Sequence, residues 1–528
     1  MKIRLPSFII AGLLVVFFAL AITQRPQTFY PEVDIDVDAS GGPLTLSFLF
    51  NSRPTLQNCE ALTGNIARVV LKQCPQCRVK LIQCDSTLDQ TQINLLSNDP
   101  LSTPSGRMAN GVLIFRSTNM DLALASCQAT EKQSAAGINP VKCYPANTPR
   151  MKPDARSVLS LWSLVVLFAA FAAAWFSGWL IVKYEHLHAH LSHDHVGTGP
   201  QKNHAQPTPR IGGLAVMVGL LVAGGIMLFA DALPGEREFG LLLIASVPAF
   251  VGGLVEDIIK KVSVSDRLLL TMLSGAAAAW LLGAALNRLG IPGVDQALSW
   301  LPFAVIFTIF AVGGIANAIN IIDGYNGLAT GFAIIVLAAM AFVAHLIGDN
   351  LIFTTALAMA GALFGFMAWN WPGGKIFLGD AGAYLLGFIL AELSVLLVVR
   401  NPEVSPWFPL VLLIYPVFET FFSIYRRKFM QGLSAMQPDN KHLHQLIHDN
   451  VVPRGVRSGA RLNKLDANNR VAKYIWLHAI VTAVLGCLFW QSTPVLIGIA
   501  IAYCVFYFVS YRQIVQWKAV PAGSRKRV

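Results

Sequence analysis

The chain predicts an all-α polytopic membrane protein with a small polar domain inserted near its N-terminus. Three observations carry this reading. Of 528 residues, 54% are hydrophobic and only 13% are charged, whereas soluble domains carry about a quarter charged residues. From Val158 onward, apolar runs of membrane length recur to near the C-terminus. Six of the eight cysteines crowd into the single long stretch of ordinary polarity, Gln24–Ser157. The formal net charge of +11 is the usual excess of Lys and Arg on cytoplasmic loops and requires no nucleic-acid partner.

Residues 1–23 place Lys2 and Arg4 before an apolar run, Phe8–Ile22. This reads as an uncleaved membrane anchor, with a signal peptide as the alternative because Ala19-Leu20-Ala21 resembles a cleavage site. Either reading exports residues 24–157. There Cys59, Cys74, Cys77, Cys84, Cys127 and Cys143 read as disulfides, with 15 pairings open for six cysteines. Strand-like runs (Leu44–Phe50, Arg78–Gln83, Gly111–Phe115) alternate with helix-like ones (Glu60–Lys72, Met120–Gln133). The expected result is a small disulfide-containing α/β or α+β extracytoplasmic domain. Cys74-Pro75-Gln76-Cys77 follows a helical stretch, whereas a low-pKa redox thiol sits at a helix N-terminus, so a structural bridge is expected. The stretch names no partner for this domain.

The remainder, 158–528, is expected to form eleven transmembrane helices, near 158–182, 211–230, 239–255, 268–286, 300–317, 329–347, 352–369, 381–399, 406–424, 472–490 and 494–511. Starting outside, alternate loops collect Lys202 and Arg210; Lys260, Lys261 and Arg267; Lys375; Arg426, Arg427 and Lys428; and Arg454, Arg457 and Arg461. The opposite loops hold only Arg237, Arg288 and Arg400. The positive-inside rule therefore puts the first set, and the terminal Arg525-Lys526-Arg527, in the cytoplasm.

The unusual polar groups fall on that same face. Asn317, Asn320 and Asp323 recur at one helical turn in NAINIIDGYNGL and lean toward one side. Glu256-Asp257 ends another helix, followed by Lys260 and Arg267. Arg210-Ile211-Gly212-Gly213 opens a helix, Asn370 precedes Lys375-Ile376-Phe377-Leu378-Gly379-Asp380, and His442-Leu443-His444 closes the set. Carboxylates interleaved with Lys, Arg and Gly-rich turns suit a phosphate-rich ligand held through a hard divalent cation. Mg²⁺ takes one or two carboxylates and completes its shell with water and phosphate oxygen. Taken singly the clusters have plain readings. A Glu-Asp pair at a helix end is ordinarily solvated, and the i, i+2 histidines align only on an extended segment. The run His186, His188, His190, His193 and His195 reads as a polar loop. Glu392, mid-helix, is expected to face the bundle interior.

Together these blocks resemble the polyprenyl-phosphate N-acetylhexosamine-1-phosphate transferase family, from about Val158 to the C-terminus. They run His204–Ala215, Glu256-Asp257, NAINIIDGYNGLATG (Asn317–Gly331), Asn370 with KIFLGDAG (Lys375–Gly382), Pro416–Thr420 before Arg426-Arg427, and HLHQLI (His442–Ile447). The resemblance implies eleven helices with the active site facing the cytoplasm of a bacterial inner membrane and residues 24–157 in the periplasm. It implies phosphotransfer from a UDP-N-acetylhexosamine to undecaprenyl phosphate, with Mg²⁺ (or Mn²⁺) as cofactor and with dimerisation. Carried over residue by residue, it makes Asp380 the principal metal ligand with Asp323, and Glu256 and Asp257 the groups that meet the lipid phosphate. Arg210, Lys260 and Arg267 would hold phosphates. Asn317, Asn320, Asn326 and Asn370 would line the polar wall and nucleotide pocket, and His442 and His444 would meet the sugar-nucleotide. The chain departs from the family pattern at Glu256 and Glu419, where Asp is commoner, at Asn326 for Asp, and at Gln445 for His. HLHQ resembles the simple-sugar branch and so favours UDP-GlcNAc over UDP-MurNAc-pentapeptide. A twelve-helix transporter is the reading from another class; it lacks an internal repeat here, and the acidic groups sit at helix ends.

Overall fold

The computed structural model describes residues 30–39, 42–50, 59–60, 62–64, 66–68, 74, 77–85, 101–108, 111–134, 141–146, 161–194, 207–230, 235–433, 439, 441–453 and 463–517. The expected anchor over 1–23, His195, Lys202, His204, the arginines at 454, 457 and 461 and the C-terminal basic run lie outside them. The chain divides into two compact units, one within 24–158 and one within 159–528.

The first unit is built on an antiparallel sheet in the order β3-β1-β2-β5-β4-β6. Its strands are β1 (Tyr30–Ala39), β2 (Gly42–Phe50), β3 (Cys77–Asp85), β4 (Ser105–Met108), β5 (Gly111–Ser117) and β6 (Lys142–Tyr144). Period-2 alternation sends Leu113 and Phe115 to the face covered by α1 (Met120–Ser134), where they meet Ala123 and Cys127. Val112 and Ile114 point the other way and pack with Leu49. The Asn119 side chain starts α1 by accepting the N–H groups of Asp121 and Leu122 at 3.1 and 3.2 Å. Three disulfides join Cys59 to Cys84, Cys74 to Cys77 and Cys127 to Cys143. The last ties the helix to β6.

The second unit is helical. It runs α2 (Leu161–Lys183), α3 (Glu185–Ser192), α4 (Gly212–Ala230), α5 (Glu236–Ile259), α6 (Val264–Leu282), α7 (Val294–Leu298), α8 (Leu301–Ile322), α9 (Leu328–Ile347), α10 (Asn350–Asn370), α11 (Gly379–Arg400), α12 (Trp407–Leu412), α13 (Ile414–Tyr425), α14 (Leu443–Leu446), α15 (Lys464–Leu488) and α16 (Thr493–Gln516). Among the described residues, eight helices are long and apolar enough to cross a membrane: α2, α5, α8, α9, α10, α11, α15 and α16. The protein is a polytopic membrane protein. The segment expected as one helix over 406–424 is divided at Leu413 into α12 and α13. Pro416 is the cause, because its ring excludes the carbonyl of Leu412 and it has no N–H to donate. The segment expected near 268–286 begins earlier, at Val264, where the Ser263 hydroxyl caps α6 by accepting the Asp266 N–H at 3.1 Å.

Helix α11 is the axis of this unit. Every residue from Gly379 to Val398 is buried, with α4, α5 and α8 packed against it. Small residues permit that approach: a Cβ on Gly253 of α5 would stand 2.4 Å from the backbone nitrogen of Ala381. Glu392, midway along α11, is fully buried, and neither of its oxygens has a hydrogen-bond partner among the described residues.

Candidate active site

The site begins with the N-terminus of α11. A helix start leaves several N–H groups without intrahelical partners, and no side chain of its own caps this one. Asp257, at the end of α5, does so instead. Its Oδ1 accepts the N–H of Asp380 at 2.8 Å and its Oδ2 that of Ala381 at 2.9 Å, and the residue is fully buried. Gly379 turns there with φ 75°; a Cβ on it would lie 1.9 Å from the Arg210 carbonyl and 2.5 Å from Asp257 Oδ2. Only glycine fits.

Asp380, in the first turn, faces the other way. Its Oδ1 accepts from Arg210 Nη2 at 3.0 Å and Asn320 Nδ2 at 3.1 Å, and its Oδ2 is paired with Arg267 Nη1. Arg210 Nη2 also stands 3.6 Å from Asp257 Oδ1. The Asp380 side chain is 9% exposed, those of Arg210 and Arg267 27% and 17%, so the guanidinium groups form the open side of the cluster. Two guanidinium groups thus hold the Asp380 carboxylate with charge-assisted hydrogen bonds.

Asp323 is the terminal cap residue of α8. It is half-buried, and no donor among the described residues holds its carboxylate. Burial, with the Asp380 charge nearby and Arg210 only partly offsetting it, pushes Asp323 from 3.8 up to about 7. Two carboxylates in mutual repulsion, one without a donor, fit a hard divalent cation that takes its other oxygens from phosphate and water.

Several expected site residues hold the walls instead. Glu256 accepts the Val262 N–H at 2.7 Å and closes the turn at Lys260, which has φ 58° and is exposed. Asn317 turns away from Asp380; its amide donates to Thr271 Oγ1 at 3.1 Å and to the Gly313 carbonyl at 2.8 Å, bracing α8 on α6. Asn326 is bound to α15: its N–H donates to Asn468 Oδ1 at 2.8 Å and its Nδ2 to Asn469 Oδ1 at 3.2 Å. Asn370 accepts the Gly327 N–H at 2.6 Å and donates to the Ile376 carbonyl at 2.8 Å, joining the turn after α8 to the one before α11. Lys375 lies with its ammonium 5.5 Å from the Trp369 ring centroid.

His442 and His444 form a separate buried group. Their rings stack at 5.4 Å, because His442 is extended (φ −68°, ψ 151°) before α14. His442 Nδ1 is 2.9 Å from Glu419 Oε1, and His444 Nδ1 is 3.0 Å from the Tyr415 hydroxyl. Burial, helped by His442, pushes His444 from 6.5 down to about 3. Tyr325 meets the His444 ring edge-on at 5.8 Å, so this group abuts the turn that follows Asp323. Asp439 pairs with Arg426 behind it.

Sequence reasoning missed Tyr384, Tyr415 and the Asn468-Asn469 pair. Tyr384 is one turn along α11 from Asp380, and its hydroxyl is 3.5 Å from Asn320 Oδ1. That i, i+4 spacing is a legible signal; nothing local marks Tyr415 or the two asparagines.

The fold and the site thus define a polytopic membrane protein with a carboxylate–guanidinium centre where helix ends converge. Residues 239–398 match the model of glycosyl transferase family 4. A protein of Bacillus subtilis named probable undecaprenyl-phosphate N-acetylglucosaminyl 1-phosphate transferase is 31% identical over 252 residues, covering 47% of this chain and 67% of its own. The decaprenyl-phosphate N-acetylglucosaminephosphotransferase of Mycolicibacterium smegmatis is 30% identical over 338 residues, 57% of this chain and 78% of the relative. The phospho-N-acetylmuramoyl-pentapeptide-transferase of Staphylococcus carnosus is 31% identical over 221 residues, 39% and 67%. The chain belongs to glycosyl transferase family 4.

Proposed function

We propose that the protein transfers N-acetylhexosamine-1-phosphate from a UDP-sugar, UDP-GlcNAc or a close relative, to undecaprenyl phosphate. The products are undecaprenyl-diphosphate-sugar and UMP, the first step of a surface polysaccharide such as O-antigen. The observation that carries this reading is Asp380, held at the α11 N-terminus by Arg210, Arg267 and Asn320, with Asp323 nearby and, among the described residues, without a donor to its carboxylate. Relatives named for N-acetylglucosaminyl-1-phosphate transfer support the choice of sugar.

In this reading Asp380 and Asp323 would hold Mg²⁺ (or Mn²⁺), which would supply charge neutralisation at the diphosphate. Arg210 and Arg267 bind phosphate oxygens on the open side of the cluster, and Lys260 meets the lipid phosphate at the membrane surface. Glu256 is half-buried, whereas Asp257 is fully buried and fixes the α11 N-terminus and thereby Asp380. A phosphate monoester is largely dianionic at neutral pH, so the acceptor requires orientation more than a strong base. Phosphoryl transfer is carried by positioning and charge neutralisation. His442 and His444 meet the sugar-nucleotide above the Asp323–Tyr325 turn.

The same reading places eleven spans and an N-terminal anchor in a bacterial inner membrane, with the site on the cytoplasmic face and residues 24–157 in the periplasm. The Lys and Arg asymmetry of the loops supports it. The test is Mg²⁺-dependent UMP release with undecaprenyl phosphate across a panel of UDP-sugars that includes UDP-MurNAc-pentapeptide. Release with UDP-GlcNAc is expected. Asp380→Asn and Asp323→Asn are each expected to abolish it while still inserting in the membrane, and near-normal turnover in both would refute the assignment.

A further inference from the structure

The two stacked histidines are held by one short helix. Tyr415 and Glu419 lie one turn apart on α13, so both reach the same side. Glu419 takes the His442 side: besides the His442 contact, its Oε2 accepts from the Leu443 N–H at 3.1 Å and the Tyr507 hydroxyl at 2.6 Å. Tyr415, 1% exposed, directs its hydroxyl to His444 Nδ1 at 3.0 Å and packs its ring against Phe332 at 6.3 Å. His444 is itself 1% exposed. Its second nitrogen, Nε2, faces Gly324, where a Cβ would stand 3.8 Å from it. Among the described residues that nitrogen has no hydrogen-bond partner. A buried ring with one nitrogen engaged and the other unpartnered at a glycine turn is set for an incoming group.

We propose that Tyr415 is a positioning residue for His444: its hydroxyl donates to Nδ1, fixing the tautomer that carries the proton on Nε2 and aims it past Gly324 into the site. The neutral Nε2–H then donates to an oxygen of the sugar-nucleotide, which rests on the function proposed above. The direction of the Tyr415 bond follows from the phenol O–H being a stronger acid, and so a better donor, than the N–H of a neutral imidazole. Burial keeps the ring uncharged, so the donor adds no cation to a site already holding Arg210 and Arg267.

The test uses the full chain, comparing wild type, Tyr415→Phe, His444→Ala and the double variant in lipid nanodiscs. Tyr415→Phe removes only the hydroxyl and is expected to raise KM for UDP-GlcNAc about tenfold. It should leave KM for undecaprenyl phosphate near the wild-type value. In the His444→Ala background it should add nothing, because it acts through that ring. Multiplying effects of the two substitutions would overturn the proposal, as would an unchanged KM. Spectra of ¹⁵N-histidine-labelled wild type need no substrate: a protonated Nε2 on His444 is expected, and a protonated Nδ1 overturns the proposal even where the variant fails to fold. A wild type that releases no UMP while showing the Nε2–H tautomer would refute the functional reading and leave the Tyr415–His444 geometry standing.

Discussion

Asp323→Asn separates the cost of the site from its use. The carboxylate is pushed from 3.8 to about 7 by burial and by Asp380, and that displacement is worth about 4 kcal/mol at ~1.4 kcal/mol per tenfold change in proton affinity. Because the side chain is only half-buried, solvent screening reduces this to about 2 kcal/mol. The sign follows from proton binding. Between pH about 4 and about 7 the folded state holds a proton that the unfolded state has released, so wild-type stability falls as pH rises through that window and stays low above it. The amide carries no such cost. At pH 8, with EDTA present, Asp323→Asn should therefore melt a few degrees above wild type, and the gain should vanish near pH 4. Mg²⁺ should raise the wild-type midpoint at pH 8 and leave the variant's almost unmoved. The assay is thermal unfolding in detergent at the two pH values with EDTA or Mg²⁺. A variant no more stable than wild type at pH 8 would refute the claim that the burial of Asp323 is only partly compensated by Arg210.

Three further predictions separate working groups from bracing ones. Asn320→Ala, which removes a donor to Asp380, should lower kcat at least tenfold, whereas Asn317→Ala should lower the melting temperature with a smaller effect on kcat; equal kcat losses in steady-state UMP release would contradict the geometry. Asp257→Asn leaves one of the two α11 amides without an acceptor and the other with a neutral one, and should cost about 1–3 kcal/mol in unfolding experiments, against a smaller loss for Glu256→Gln. Asn326→Asp exchanges a donor to Asn469 Oδ1 for a charge at a buried position and should destabilise the fold by about 1–3 kcal/mol; a neutral effect would show that the contact with α15 is dispensable.

Helices were legible because membrane-length apolar runs announce themselves, and each expected body segment meets a helix in the described residues. The division at Leu413 was written in Pro416, within an apolar run that hid it. In the small unit, β1 was overlooked although Val33, Ile35 and Val37 alternate with Asp34, Asp36 and Asp38. The acidic positions masked a strand whose polar side is partly spent within the sheet, with Thr45 donating to Asp36 at 2.6 Å and Gln83 to Glu32 at 2.7 Å. In the site, residue types predicted chemistry better than geometry. Asn317, Asn320 and Asp323 share spacing and a face, yet Asn320 reaches Asp380 and Asn317 reaches Thr271, a choice set by which neighbouring helix lies opposite. Asn326 and Asn370 read as ligand groups through the family resemblance, but the Asn326 amide donates to the Asn469 side chain and that of Asn370 is taken up by the Gly327 N–H and the Ile376 carbonyl. Such pairings join residues up to 143 positions apart, and no local pattern encodes them.

The central claim is that the Asp380 cluster transfers a sugar phosphate between a nucleotide and a lipid. Its most direct test is UMP release by the purified full chain with UDP-GlcNAc, undecaprenyl phosphate and Mg²⁺. UMP and undecaprenyl-diphosphate-sugar are expected in equal amounts, lost on adding EDTA and absent from Asp380→Asn. A folded protein that forms neither product with any UDP-N-acetylhexosamine would contradict it.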